Sequence, residues 1–174
     1  MSSKKSSTIS FRLDQDLLDM LKKESEKQDI SVNTLANQIF KRYIEWGRFE
    51  PKVGMVPVAK QILNALFKKI NEKETIELAT KVGRDIVRDM AVFMKGKMDL
   101  DSFLSWFETR MKASAFEMNH TITNEHHSYI VKHDIGYNWS LYHQKVLELI
   151  FTDILEKKVN IEISESMMKI AFDE

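Results

Sequence analysis

Cysteine is absent from this 174-residue chain. Disulfides, thiolate metal sites and a cysteine nucleophile are thereby excluded, and a reducing cytoplasm is the compartment that fits. Long apolar runs are missing too. The run that includes Ala91–Met94 falls far short of the roughly 18 residues a membrane span needs, so no membrane partner is expected. The amino end places Lys4 and Lys5 before a polar stretch, not before the apolar core of a secretory signal. Net charge is also lacking, because 26 Lys and Arg cancel 26 Asp and Glu. A chain without net charge has no blanket electrostatic grip on nucleic acid.

What remains is 43% hydrophobic and 30% charged, the composition of a soluble globular chain of one large domain or two small ones. Folded as one body, a chain of this size buries about two-thirds of its unfolded surface, enough for a core without staples. The zero sum hides an asymmetry. Residues 1–48 carry 9 basic and 7 acidic groups, residues 49–118 carry 12 and 10, and residues 119–174 carry 5 and 9. His120, His126, His127, His133 and His143 all fall in that acidic last third.

Periodicity divides the chain further. In Thr8-Ile9-Ser10-Phe11-Arg12-Leu13 apolar and polar residues alternate strictly, the mark of a half-buried strand. Asp14 is placed to cap a helix over 15–28, and Ser31 a second over 32–46 with Val32, Leu35, Ile39 and Tyr43 on one face. The stretch 47–56 holds two of the five glycines and one of the two prolines and reads as a linker around 49–56. Beyond it the pattern predicts a helix from Pro57 to about 70, then a long helix opened by an Asn71/Glu74 capping box, with Gly83 as a bend and Gly96 as the stop. Asp99 opens another helix. Alternation then returns around Phe116–Ile122, 128–133, Val159–Ile163 and Met168–Phe172, interrupted by a helix that Asn138 or Ser140 would cap. Four strands and one helix in that order predict a small antiparallel sheet with one covered face.

A lone six-residue strand cannot stand in water, since its backbone groups and apolar face need a partner. The simplest solution is a symmetric dimer in which residues 8–13 pair with their own copy, burying Ile9, Phe11, Leu13, Leu35 and Ile39 in a shared core. The stretch from Ser7 to Leu21, with that from Asp29 to Tyr43, resembles the ribbon-helix-helix family, the Arc and MetJ class of DNA-binding proteins. The resemblance covers about a quarter of the chain and implies an N-terminal ribbon-helix-helix domain over 1–48. It implies that Thr8, Ser10 and Arg12 read base edges in the major groove of double-stranded DNA. It also implies that Ser31, Val32 and Asn33 set a helix start against a phosphate, beside arm contacts from Lys4 and Lys5. Where many members have glycine between the helices, this chain has Asp29. From about residue 57 the chain resembles uncharacterised archaeal proteins that join such an arm to a helix-rich α+β domain, a resemblance that names no ligand.

The expected fold class is therefore α+β: a ribbon-helix-helix domain, then a sensor or assembly domain over 57–174. The expected function is that of a homodimeric, sequence-specific transcriptional regulator, with an antitoxin-like protein-interaction module as the alternative. A small ligand for the second domain is left open, and no catalysis or cofactor is expected. His127, His133 and His143 match no ligand signature and read as structural or surface residues, so no metal is expected. The aromatic and methionine stripe around Phe93, Trp106 and Phe107 reads as core.

Overall fold

The computed structural model describes residues 7–174, so Lys4 and Lys5 lie outside the described residues. The chain divides into two compact units, Met1–Ile44 and Glu45–Glu174.

In the first unit a segment without regular secondary structure, 7–14, leads into α1 (Gln15–Lys27) and α2 (Val32–Arg42). Asp14 takes the N-cap position of α1 without a side-chain cap bond, whereas Ser31 accepts from the Thr34 amide at the start of α2. Asp29 adopts the left-handed conformation, φ 52°, that the tight turn between the helices requires and that Asp tolerates better than most residues. A π-helical turn, Tyr43–Gly47, continues the chain.

The expected strand is corrected here. Residues 7–14 form no strand and pair with no other described segment. Alternation fixes which side chains share a face, but a strand exists only through a ladder of backbone hydrogen bonds, and no described segment of this chain lies alongside to supply one. Thr8, Ser10 and Arg12 thus stand on an exposed irregular segment, not on a ribbon, and Ile9, Phe11 and Leu13 are exposed. The N-terminal unit is helical and the sheet lies at the C-terminal end. The ribbon-helix-helix assignment, the resemblance to archaeal proteins built on it, and the fold class that began with it are overturned by that arrangement.

The second unit is α+β. Its helices are α3 (Lys60–Phe67), α4 (Glu72–Leu78), α5 (Arg84–Lys95), α6 (Leu100–Ala113) and α7 (Tyr137–Asp153). Its strands are β1 (Glu117–Thr123), β2 (His126–Lys132), β3 (Asn160–Ile163) and β4 (Met167–Asp173). They form one antiparallel sheet in the order β1-β2-β4-β3. The two-residue turn Asn124-Glu125, both at positive φ (49° and 64°), joins β1 to β2 with the twist a tight hairpin needs.

Local chemistry accounts for several helix ends. Asn71 and Glu74 form a reciprocal capping box, Asp99 accepts from the Ser102 amide at 2.9 Å, and Gly96 at φ 82° ends α5. The third helix starts at Lys60 and not at Pro57, which lies before the N-cap residue Ala59. Between α4 and α5 the backbone widens into a π-helical turn, Ala79–Gly83. Thr75, Ala79, Gly83, Val87 and Ala91 are buried along this composite helix, and all three of its parts pack on α7. The approach is close: a Cβ on Gly83 would come within 2.6 Å of the Tyr142 hydroxyl and of Val146.

The alternation of β2 and β4 buries His127, Tyr129 and Val131 with Met168, Ile170 and Phe172 on the helix-covered face. Phe103, Trp106 and Phe107 from α6 and Val146, Ile150 and Phe151 from α7 complete that core. Each such side chain contributes roughly 1.5–3 kcal/mol of burial free energy. No helix among the described residues is long and apolar enough to cross a membrane.

Candidate functional site

The N-terminal unit presents more apolar surface than it hides. Among its described residues only Ser25 and Leu35 are buried, while nine large apolar side chains from Ile9 to Ile44 are exposed. Of the five residues expected in a shared core, Leu35 alone is buried, and Ile9 is 72% exposed. The unit is braced by short-range contacts, with Phe11 against Phe40 at 5.3 Å between ring centroids and the Asn37 amide donating to the Asn33 carbonyl. Thr8, Ser10 and Arg12 are exposed, and Arg12 makes no ion pair among the described residues. Ser31 and Asn33 are exposed at the start of α2, with Val32 half-buried between them.

The histidines do not converge as a trio. His143 lies on the buried side of α7, His133 follows β2 and bonds to Ser140 of α7, and His127 lies at the opposite end of β2. The His133 ring is fully buried and its hydrogen bonds define its tautomer. Nδ1 accepts from the Ile135 amide at 3.1 Å, so Nε2 carries the proton and donates to the Ser140 hydroxyl at 2.8 Å, which donates in turn to the Ser164 carbonyl at 2.7 Å. Burial pushes the imidazole down to about 4. By distance alone Ser140 and His133 resemble a nucleophile and its base. Here the serine proton points at a carbonyl and both side chains are sealed from solvent, so the pair pins α7 to the β3–β4 turn. Neither Ser140 nor Ser164 was legible as a partner, because the contact spans separate elements and carries no spacing signal.

His143 donates from Nδ1 to the Trp139 carbonyl and stacks on the Trp139 ring at 3.7 Å. Burial, then the nearby Arg110 charge, pushes it down to about 3. Its Nε2 and the Trp106 indole nitrogen are buried without hydrogen-bond partners among the described residues. Asp134 is exposed, and Glu148 pairs with Lys145 at 3.2 Å.

A cleft of about 420 Å³ opens between the end of α3, the β2–α7 connection and the β3–β4 turn. Lys68, Asp134, Tyr137 and Glu165 line it. Its walls are tied together by the Asn64 amide on the Ile135 carbonyl at 2.5 Å and by Asn138 on the carbonyls of Phe67 and Ile70. The volume is that of a small-molecule site.

No protein-family model matches the chain, and no curated protein is detectably similar to it.

Proposed function

We propose that this protein is a self-associating DNA-binding regulator whose N-terminal helical unit carries both the subunit contact and the nucleic-acid contact. The observation that carries the reading is the surplus of uncovered apolar surface on that unit: two buried side chains against nine large exposed apolar ones. A fragment this small seldom stabilises itself by a single core, and association is the common remedy. A second copy of the chain would cover Ile39, Phe40 and their neighbours. The DNA contact rests on the irregular segment beside it. Thr8, Ser10 and Arg12 are exposed there, and arginine-bearing N-terminal arms enter DNA grooves. The start of α2, with Ser31, Val32 and Asn33, offers amide groups to a phosphate. Such a role places the protein with the DNA in a reducing cytoplasm. The Glu45–Glu174 unit then serves assembly or sensing, the 420 Å³ cleft being the place for a small ligand.

The test combines light scattering on the purified chain with selection of duplexes from a random pool. A dimer or higher oligomer that enriches a short repeated sequence is expected. The exposed apolar face equally suits a protein-interaction module of the antitoxin kind, and an oligomer that selects no DNA would establish that second reading.

A further inference from the structure

Beneath the β1–β2 edge of the sheet two imidazoles meet nitrogen to nitrogen. His120 Nε2 and His127 Nδ1 are 3.1 Å apart. A carboxylate stands on the far side of each ring, with Glu108 Oε1 3.3 Å from His120 Nδ1 and Glu174 Oε2 3.6 Å from His127 Nε2. A neutral imidazole has one N–H, and a carboxylate can only accept, so each carboxylate favours the proton on the nitrogen that faces it. Protons on the outer nitrogens leave two inner lone pairs aimed at one another. That arrangement calls for a shared cation.

The rings are held in place for it. Tyr129 stacks on His120 at 3.8 Å and donates to the same Glu108 oxygen at 3.1 Å, while Lys112 approaches the other oxygen at 3.9 Å. His127 stacks on Phe172, its side chain is only 8% exposed, and its Nε2 has no hydrogen-bond partner within normal reach. His120, 21% exposed, gives the pair an opening to solvent. An ion bound roughly 2.0–2.1 Å from each nitrogen would subtend about 100° across the 3.1 Å gap, between octahedral and tetrahedral angles.

We propose that His120 and His127 form a two-imidazole site for a divalent transition-metal ion of the zinc or nickel type, with Glu108 orienting His120 from outside and the Glu174 charge facing the outer nitrogen of His127. Backing of a ligand histidine by a carboxylate is the usual device for fixing its tautomer and raising its basicity. Among the described residues no three His, Cys, Asp or Glu side chains gather around one point, so water fills the remaining positions. This site is separate from the proposed DNA contact and does not depend on it.

Calorimetric titration of the untagged full-length chain with zinc chloride and with nickel chloride tests the assignment, together with long-range nitrogen–proton spectra of the imidazoles. One ion per chain is expected, with resonance changes concentrated at His120 Nε2 and His127 Nδ1. His120→Ala should weaken binding at least tenfold, and Glu108→Gln roughly 10- to 100-fold, as loss of an outer partner does. The spectra of the parent chain decide the matter even if a variant misfolds. No saturable binding, binding that survives His120→Ala in a folded chain, or metal-induced changes at the exposed His126 alone would overturn the proposal. So would an apo spectrum with a proton fixed between the two inner nitrogens and one outer nitrogen bare.

Discussion

The N-terminal and C-terminal units solve the problem of a stable core in opposite ways. Glu45–Glu174 closes a sheet under two helices and seals Phe103, Trp106, Val131, Ile150 and Met168 almost completely. Met1–Ile44 seals Leu35 and little else that is apolar. Composition does not explain the contrast, since both are amphipathic and charged. Topology does. A four-stranded sheet has a wide apolar face that two crossing helices can cover from within one chain, whereas two short helices and an irregular arm have no opposing layer. The first unit is therefore open to whatever completes it, and the second is self-sufficient.

The largest effect should come from breaking the weaker side. Leu35→Asp places an unpartnered charge at the one buried apolar position of the first unit, at a cost of several kcal/mol, comparable to the stability of so small a body. Loss of association by light scattering and of α1 and α2 signals by NMR is expected, with the second unit intact. A folded, still associated variant would show that the units are less different than their burial suggests. On the other side, Phe103→Ala should cost about 3–5 kcal/mol by leaving a cavity among Trp106, Phe107 and Phe151. Thermal unfolding followed by tryptophan fluorescence reads this directly, because Trp46, Trp106 and Trp139 all belong to the second unit.

Acid should separate the units more gently. All five histidines lie in Glu45–Glu174, and His133 is held neutral by burial down to about 4. The unfolded chain takes up that proton near the ordinary histidine value and the folded chain does not. Stability present above about pH 6.5 is thus lost as pH falls towards 4, with a slope of about 1.4 kcal/mol per pH unit for one proton. His143, held neutral down to about 3, adds a second proton of the same sign, so urea unfolding at several pH values should show about twice this slope, and His133→Asn should roughly halve it. The smallest effect concerns DNA. Arg12→Ala should cost about 1–3 kcal/mol on a selected duplex and much less on a scrambled one, if its guanidinium reads a guanine. Removal of residues 1–6, with Lys4 and Lys5, should weaken both equally and lower the salt dependence. Equal losses for Arg12→Ala on both duplexes would remove the reading role from the irregular segment.

Sequence reached different depths in the two units. The capping box at Asn71 and Glu74, the stop at Gly96 and the four alternating segments of the sheet were legible, because each is set by neighbours within a few residues. The alternation of residues 8–13 was equally clear and misled, because a period of two says which faces differ but not whether a partner strand exists. The helix over 32–46 was legible as a length, although its last turn is π-helical. At the candidate sites, Thr8, Ser10 and Arg12 are exposed, but so are Ile9, Phe11 and Leu13 between them, so the alternation marks no buried face. The pairing of His120 with His127, and of His133 with Ser140, did not follow from local pattern. Those contacts depend on strand register and on the crossing of α7 over the sheet, quantities that no local spacing encodes. The separation of His127 from His133 and His143 was not legible for the same reason: a shared strand face still spans the strand's whole length.

The wide turn at Ala79–Gly83 has a geometric consequence for the long helix that contains it. The buried positions Thr75, Ala79, Gly83, Val87 and Ala91 recur every four residues. An ordinary α-helix of 3.6 residues per turn overshoots a full revolution by about 40° at each such step, so a four-residue repeat would spiral away from any straight neighbour. The π-helical turn packs more residues into one revolution and winds part of that lead back. It works as a phase corrector, returning the small-residue line to α7 after the midpoint. Deleting a single residue inside it would rotate Arg84–Lys95 by roughly 100° relative to Glu72–Leu78, swinging Val87 and Ala91 off the helix they now touch and turning charged Arg84 and Arg88 towards the interior.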